Sequence, residues 1–231
     1  DMPFVIMLDE DENGYKAGRF LRASDLGMSG ENNEWKPVIQ DKLSQQLLVP
    51  NGTMGQRWEE GKKWNLKLET EDGTPIDPML SMVESDYHVE TIQFPYFDSS
   101  GDGIFERPIA TRTIQLANGE EVKIATVYDL MTSQYGVQRF EHELEATSYD
   151  DASSKYTPAW QEQITGIKKE LVTKVAKEFA QNAIDTGGRS MIIMGAGINH
   201  WFNSDTIYRS ILNLVLLCGC QGVNGGGWAH Y

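Results

Sequence analysis

The last third of the chain carries the pattern that most restricts its fold: an amphipathic helix, a short apolar strand, a glycine turn and a second helix follow one another. Apolar residues recur at helical spacing from 171 to 183, and this pattern ends at Gly187 and Gly188. Residues 190–194 form a short apolar run, which stops at a glycine turn over 195–200. This order predicts a layered α/β unit with a parallel sheet.

Helix signals define the extent of this unit. Residues 157–158, Thr-Pro, mark a helix start, because a capping hydroxyl precedes a proline at the first helical position. We expect a second helix to begin at 165–166, the strand over 190–194 to be buried, and the apolar helix over 205–217 to pack inside a larger body. Residues 147–231 are therefore predicted to be an α/β segment.

The middle of the chain has a different character, because turn residues are dense in it. The alternating runs 114–116 and 122–124 flank Asn-Gly at 118–119, a pattern typical of a β-hairpin. The run 64–68 alternates in the same way. Residues 27–146 are therefore predicted to be a β-rich, loop-rich insertion.

The chain begins with an apolar segment. Residues 4–8 are predicted to form a strand buried on both faces, and we assign residues 1–26 to the α/β core. Apolar sequence follows almost directly on Asp1, and no polar tail precedes Tyr231. We therefore expect a fragment of a longer chain.

The charge balance limits the classes of partner. The chain of 231 residues has 34 acidic and 20 basic side chains, for a net charge of -14. Such a surface repels phosphate backbones and anionic lipids, so we expect no nucleic-acid partner, and no apolar run is long enough for direct membrane insertion. The two cysteines, Cys218 and Cys220, are too few for a disulfide framework or a metal cluster, and we expect buried thiols.

Two acidic segments resemble the start of a calcium-binding loop. In the segment from Asp9, the position that requires a bidentate glutamate is Phe20, and in the segment from Asp98 it is Ile109. Both are therefore predicted to be acidic surface turns. The histidines His88, His142 and His230 are isolated from cysteine and from one another, so their spacing predicts no metal site.

The glycine turn after the apolar run is the first candidate site. Gly195 and Gly197 match the first two glycines of the dinucleotide fingerprint, but His200 replaces the third, and no acidic residue follows about 20 positions later. A simple NAD site is thus disfavoured. Open α/β sheets nevertheless bind ligands at such turns, from which Asn199, His200 and Trp201 project. The alternative is that the glycines only shape a connection and that His200 is a partly buried histidine with its hydrogen bonds satisfied.

A second glycine-rich segment follows at residues 222–227, and its last three residues are all glycine. Consecutive glycines after a buried helix carry an entropic cost that a plain connection does not require. Close approach of the backbone to a large ligand explains them, and a flexible linker is the alternative.

Together these segments resemble a known family. The most specific runs are GGRSMIIMGAGINHW at 187–201, CGCQG at 218–222 and GGGWAHY at 225–231, with support from GRFLRASDL at 18–26, ENNEWK at 31–36, PNGTMG at 50–55 and TPAWQEQITG at 157–166. They resemble the catalytic (alpha) subunits of membrane-bound respiratory nitrate reductases, which are members of the molybdopterin oxidoreductase family. The resemblance spans nearly the whole chain and is weakest between 67 and 112.

The resemblance implies a molybdenum enzyme that reduces nitrate to nitrite in anaerobic respiration. It implies bis-molybdopterin guanine dinucleotide and a [4Fe-4S] cluster in the full-length subunit, with an iron–sulfur beta subunit and a haem-bearing membrane gamma subunit as partners, at the cytoplasmic face of the membrane. His200 is implied to lie near the molybdenum pocket as a catalytic residue. The cofactor-binding residues implied are Gly195, Gly197, Asn199, His200, Gly225 and Gly226.

The resemblance also sets what this chain should lack. The metal ligand and the cluster motif of the family are implied to lie outside these residues, so no metal ligand is expected here and the isolated fragment should be inactive. The region 27–119 is expected to be a surface elaboration that faces a partner subunit. The competing hypothesis is a noncatalytic acidic protein-interaction module, and within the enzyme class a selenate, chlorate or other oxyanion reductase is the alternative.

Overall fold

The computed structural model describes residues 2–52, 68–98 and 101–230. The chain divides into two compact units, Asp1–Thr157 and Pro158–Tyr231. The mixed α/β character predicted from the sequence is confirmed. The predicted run 64–68 lies outside the described residues, apart from its last position.

The first unit is built mainly from strands. Its strands and helix are β1 (Val5–Asp11), β2 (Gly14–Phe20), β3 (Ile39–Gln40), β4 (Leu47–Leu48), β5 (His88–Asp98), β6 (Gly101–Gln115), β7 (Glu121–Thr126) and α1 (Val127–Gln134). Five of these strands close into a barrel in the order β1-β2-β5-β6-β7, while β3 and β4 form a separate antiparallel pair. All pairings in the barrel are antiparallel except that of β2 with β5.

The predicted hairpin is present in this barrel. Ile114 pairs with Val122 across β6 and β7, and Gly119 adopts a left-handed φ of 88° in the turn. The first acidic segment is likewise a turn between β1 and β2, in which the Asp11 carboxylate accepts the Asn13 N–H at 2.9 Å and the Lys16 ammonium at 2.8 Å. Both features depend on short-range contacts that the sequence pattern reveals.

The first strand is buried, as predicted. Val5 and the three residues after it are all shielded from solvent, because β1 lies between β2 and β7. The sequence assigned residues 1–26 to the α/β core, whereas β1 and β2 pair with barrel strands here. The division at 26 and 146 stays a prediction.

A buried carboxylate holds one end of this unit together. Asp129, in the first turn of α1, is fully buried and accepts hydrogen bonds from the Ser81 hydroxyl at 2.6 Å and the Met82 N–H at 2.8 Å. The Thr126 hydroxyl donates to it at 2.9 Å, and the Arg139 guanidinium forms an ion pair with it at 2.7 Å. This cluster joins segments that are far apart in sequence, and it pairs the buried Asp129 carboxylate with the Arg139 guanidinium.

The second unit contains α2 (Pro158–Thr165), α3 (Lys169–Thr186), β8 (Met191–Met194), α4 (Ser204–Leu217) and β9 (Gly227–His230). The helix start at Pro158 is confirmed, and so is the end of α3, where Gly187 is left-handed at φ 66°.

The predicted helix start at 165–166 is wrong. Thr165 completes α2, and its hydroxyl donates to the Gln161 carbonyl at 3.0 Å. Gly166 then leaves the helix at φ 72°. The next helix begins at Lys169, whose N–H donates to the Glu162 carboxylate at 3.0 Å, so a side chain from the preceding helix satisfies its first turn.

The parallel sheet is confirmed, and in the described residues it has two strands. β8 and β9 run parallel, with Met191 opposite Gly227 and Met194 opposite His230. Apolar side chains from both strands and from α3 and α4 pack together; they are Phe179, Ala183, Ile192, Val215, Cys218, Cys220 and Trp228. The prediction that β8 is fully buried is wrong for this chain, because Ile193 on the opposite face is 80% exposed.

Within the part of the chain that the structure describes, none of the helices combines the length and hydrophobicity that a bilayer span requires.

Candidate functional site

The candidate site is the turn that follows β8. After Met194 the chain passes through Gly195 and Ala196 into a 3₁₀ turn at Ile198–His200, and α4 begins four residues later. The Asn199 N–H donates to the Ala196 carbonyl at 3.1 Å, which closes the turn. The predicted site residues 195, 197, 199 and 200 thus lie together at the carboxyl end of a parallel strand, where open α/β sheets bind ligands.

The two glycines of this turn are needed neither for its backbone conformation nor for packing within the described residues. Neither Gly195 nor Gly197 has a left-handed φ. A Cβ atom added at either position would meet no heavy atom of the described residues within 4 Å. Neither the backbone conformation nor packing within the described residues therefore requires glycine at these two positions.

The polar side chains of the turn face solvent. Asn199 and His200 are exposed, and neither side chain forms a hydrogen bond with the described residues. Trp201 and Phe202 beside them are 69% and 98% exposed. The alternative of a partly buried, satisfied His200 is therefore wrong in this structure.

The second glycine segment is a packed turn and not a linker. A Cβ at Gly226 would lie 2.0 Å from the Gly188 carbonyl oxygen, so close backbone packing requires this glycine. The Gly227 N–H donates to the Ser190 carbonyl at 2.9 Å as β9 begins. Gly225 differs, because it is left-handed at φ 87° and a Cβ there would meet nothing within 4 Å. Of the two predicted cofactor-binding glycines, Gly225 and Gly226, only Gly225 has open space beside it.

The structure places His230 beside the candidate site, although its spacing in the sequence had indicated no role for it. His230 lies at the end of β9, opposite Met194, and therefore at the same edge of the sheet as the glycine turn. Its Nε2 is 2.7 Å from the Tyr208 hydroxyl of α4. Its partner is 22 positions away in sequence, so spacing alone could not reveal the contact. The one available signal in the sequence was the spacing of Trp228 and His230, which are two residues apart and would lie on the same face of a strand.

The charge of the chain is divided unequally between the two units. Residues 158–231 contain six Lys or Arg and five Asp or Glu, whereas residues 1–157 contain 14 and 29. Electrostatic repulsion of phosphates and other anions therefore belongs to the barrel unit. The segment that carries the candidate site is close to neutral.

The two thiols belong to the apolar cluster between the helices and the sheet of the same unit. Cys220 is buried and Cys218 is half-buried, and both are free. Burial raises the pKa of the Cys218 thiol, and the nearby Cys220 raises it further. Among the described residues, no cluster of three or more His, Cys, Asp or Glu side chains could hold a metal ion.

These thiols should react slowly with alkylating agents. Because the thiolate is the nucleophile, the raised pKa of Cys218 slows its reaction, and burial shields Cys220 from the reagent. We expect iodoacetamide at pH 7 to modify either cysteine at less than about a tenth of the rate in urea. Raising the pH to 9 should accelerate modification of Cys218 in the native protein. Peptide mapping by mass spectrometry measures this, and rapid labelling of Cys218 at pH 7 would contradict it.

Comparison with known proteins identifies the family. The family model for molybdopterin oxidoreductases matches residues 50–231, which include the whole second unit. The chain belongs to the molybdopterin oxidoreductase family. The glycine turn after β8 and the segment at 222–227 both lie inside the matched region.

Relatives within this family give a finer likeness. The chain is 54% identical to the nitrate reductase alpha chain of Bacillus subtilis (strain 168) and 43% identical to the respiratory nitrate reductase 1 alpha chain of Escherichia coli (strain K12), in each case over 100% of this chain. It is 25% identical to the perchlorate reductase subunit alpha of Dechloromonas aromatica (strain RCB), over 92% of this chain. It spans only 19%, 20% and 18% of the lengths of these three proteins.

Proposed function

We propose that this chain is an internal segment of a molybdenum-containing catalytic subunit that reduces nitrate to nitrite. The observation that carries the proposal is the turn at residues 195–200, at the carboxyl edge of a parallel sheet. Nothing in the described residues requires its glycines, and its polar side chains have no hydrogen-bond partner among those residues. The identity of 54% and 43% to the Bacillus subtilis and Escherichia coli nitrate reductase alpha chains, against 25% to the perchlorate reductase subunit, favours nitrate over other oxyanions.

The residues of the turn fit the bis-molybdopterin guanine dinucleotide cofactor. The open space at Gly195, Gly197 and Gly225 lets a bulky pterin or a phosphate approach the backbone, where N–H groups donate hydrogen bonds. The Asn199 amide offers both donors and an acceptor. Gly226 has a supporting role, because it lets the segment pack against the Gly188 carbonyl.

The reaction consumes two protons and two electrons for each nitrate, and it yields nitrite and water. The cofactor supplies the oxygen transfer and the redox chemistry when bound, and a [4Fe-4S] cluster elsewhere in the subunit supplies electrons. The exposed His200 imidazole is placed to hold an anionic oxygen or to deliver a proton.

The barrel unit has a different role in this proposal. Its 29 acidic and 14 basic residues give it the whole net negative charge of the chain, and we assign it to the surface that faces a partner subunit. The partners proposed are an iron–sulfur beta subunit and a haem-bearing gamma subunit, with the assembly docked peripherally at the cytoplasmic face of the membrane. The alpha-chain designation of the relatives supports a multisubunit assembly.

The proposal is tested in the full-length protein purified with its partners. We expect about one molybdenum per chain by elemental mass spectrometry, and His200→Ala to lower kcat/KM for nitrate about 100-fold with reduced viologen as donor, because proton delivery or oxyanion binding is lost. The matched control is His88→Ala, which removes an exposed imidazole from the barrel.

Each outcome discriminates between hypotheses. Absence of molybdenum after growth with ample molybdate would overturn the proposal and favour the noncatalytic interaction module. Kinetics of the His200→Ala protein identical to those of the unmodified protein would remove His200 from the site. Stoichiometric molybdenum in the isolated 231-residue chain would contradict the expectation that the fragment alone holds no cofactor.

A further inference from the structure

Tyr208 and His230 are joined by a hydrogen bond and by a contact between their rings. The Tyr208 hydroxyl and the His230 Nε2 are 2.7 Å apart, a short hydrogen bond. The two rings lie 5.3 Å apart, and Trp228 packs against both, at 5.4 Å from Tyr208 and 5.7 Å from His230. Three rings from one helix and one strand thus restrict the orientation of the His230 imidazole.

This hydrogen bond determines which nitrogen of His230 remains available. A phenol O–H is a stronger acid than a neutral imidazole N–H, so we assign Tyr208 as the donor and Nε2 as the acceptor. The ring proton of the neutral imidazole then lies on Nδ1. His230 is exposed, and no second hydrogen bond to the described residues uses this N–H.

The surroundings suit an anionic oxygen. Residues 190–204 and 210–230 contain no Asp, Glu, Lys or Arg, and the two charged residues between them, Asp205 and Arg209, are of opposite sign, so these segments carry no net negative charge that would repel an anion. His230 lies opposite Met194, and the turn that carries Asn199 and His200 begins one residue later. Two imidazoles and one amide therefore share one edge of the sheet.

We propose that Tyr208 and His230 form an oxyanion-binding pair at this edge. His230 Nδ1–H donates to the anionic oxygen, and Tyr208 is the positioning residue that sets the tautomer and the orientation of the ring. Nitrate and a phosphate of the cofactor dinucleotide present the same chemistry to this donor. The inference rests on the proposed function, and it adds two residues to the ligand-binding edge of the second unit.

The test uses the full-length enzyme with its partner subunits and compares His230→Gln, Tyr208→Phe and the barrel control His88→Gln with the unmodified protein. Glutamine keeps an acceptor for the Tyr208 hydroxyl, and phenylalanine keeps the ring contacts. Four quantities are measured: molybdenum per chain, KM for nitrate, kcat and the thermal midpoint.

If the bound oxygen is that of nitrate, KM should rise about tenfold in His230→Gln and about threefold in Tyr208→Phe, with molybdenum content and kcat nearly unchanged. If it is a cofactor phosphate, molybdenum per chain should fall to about half or less in both variants, with KM of the loaded enzyme unchanged. The His88→Gln protein should match the unmodified protein in every measurement.

The inference is overturned if both variants keep normal molybdenum content and normal KM, whether or not their thermal midpoint falls, because a lower midpoint alone indicates a structural contact. Failure of the proposed function is a separate result. The proposed function fails if the unmodified enzyme contains no molybdenum or does not reduce nitrate. This result is obtained before any variant is made, and it overturns the inference as well.

Discussion

Replacing Asp129 with alanine is expected to destabilise the barrel unit by about 3–5 kcal/mol, because the change leaves a buried cation without its counterion. Arg139 is mostly shielded from solvent and would lose its 2.7 Å ion pair. The Ser81 hydroxyl and the Met82 N–H would lose their acceptor at the same time, whereas the Thr126 hydroxyl keeps the Leu80 carbonyl at 2.9 Å. Buried donors without partners add to the cost.

This prediction is checked by differential scanning calorimetry of the full-length subunit and by its soluble yield. Asp129→Asn should have a smaller effect, because the amide oxygen keeps one acceptor. The control is Glu178→Ala on α3, where both members of the ion pair with Lys174 are more than 60% exposed and the thermal midpoint should not change. A midpoint for Asp129→Ala within about 1 °C of the unmodified protein would show that the network contributes nothing to stability.

Replacing Gly226 with alanine should have an effect of similar size on the second unit, about 3 kcal/mol or more, through overpacking. The added Cβ would lie 2.0 Å from the Gly188 carbonyl oxygen and 3.1 Å from that of Cys220. Both neighbours are backbone atoms and cannot rotate away. Gly188 is itself confined, because it is left-handed at φ 96° and packs against the Gly219 carbonyl.

Gly195→Ala is the matched comparison in the same unit. An added Cβ at this position meets no described atom within 4 Å, so the thermal midpoint should stay unchanged while molybdenum per chain falls if the cofactor packs there. Gly226→Ala should instead lower the midpoint and the soluble yield. Equal midpoints for the two variants would contradict the packing argument.

Several elements could be predicted from the sequence because they depend on neighbours along the chain. The hairpin around Gly119, the helix start at Pro158 and the left-handed helix end at Gly187 all follow from backbone preferences of single residues. The prediction of a helix start at 165–166 failed, since the Glu162 side chain and not a local capping residue satisfies the first N–H of α3.

The candidate site was predictable only in part. The positions of Gly195, Asn199 and His200 follow from a strand that ends in a glycine turn. The different roles of Gly225 and Gly226 could not be predicted, because they depend on whether the Gly188 carbonyl lies beside the added Cβ. His230 was also missed, because its hydrogen-bond partner Tyr208 lies 22 positions earlier in the chain, in α4.

The sequence by itself determined the order of the elements, the glycine turn after the apolar strand and the likeness to one enzyme family. Tertiary structure alone decided that β1, β2, β5, β6 and β7 close into a barrel and that β9 pairs in parallel with β8. Local propensities act over a few residues, whereas strand pairing and side-chain contacts join positions far apart in the chain. Long-range packing therefore selects among the arrangements that the local pattern permits.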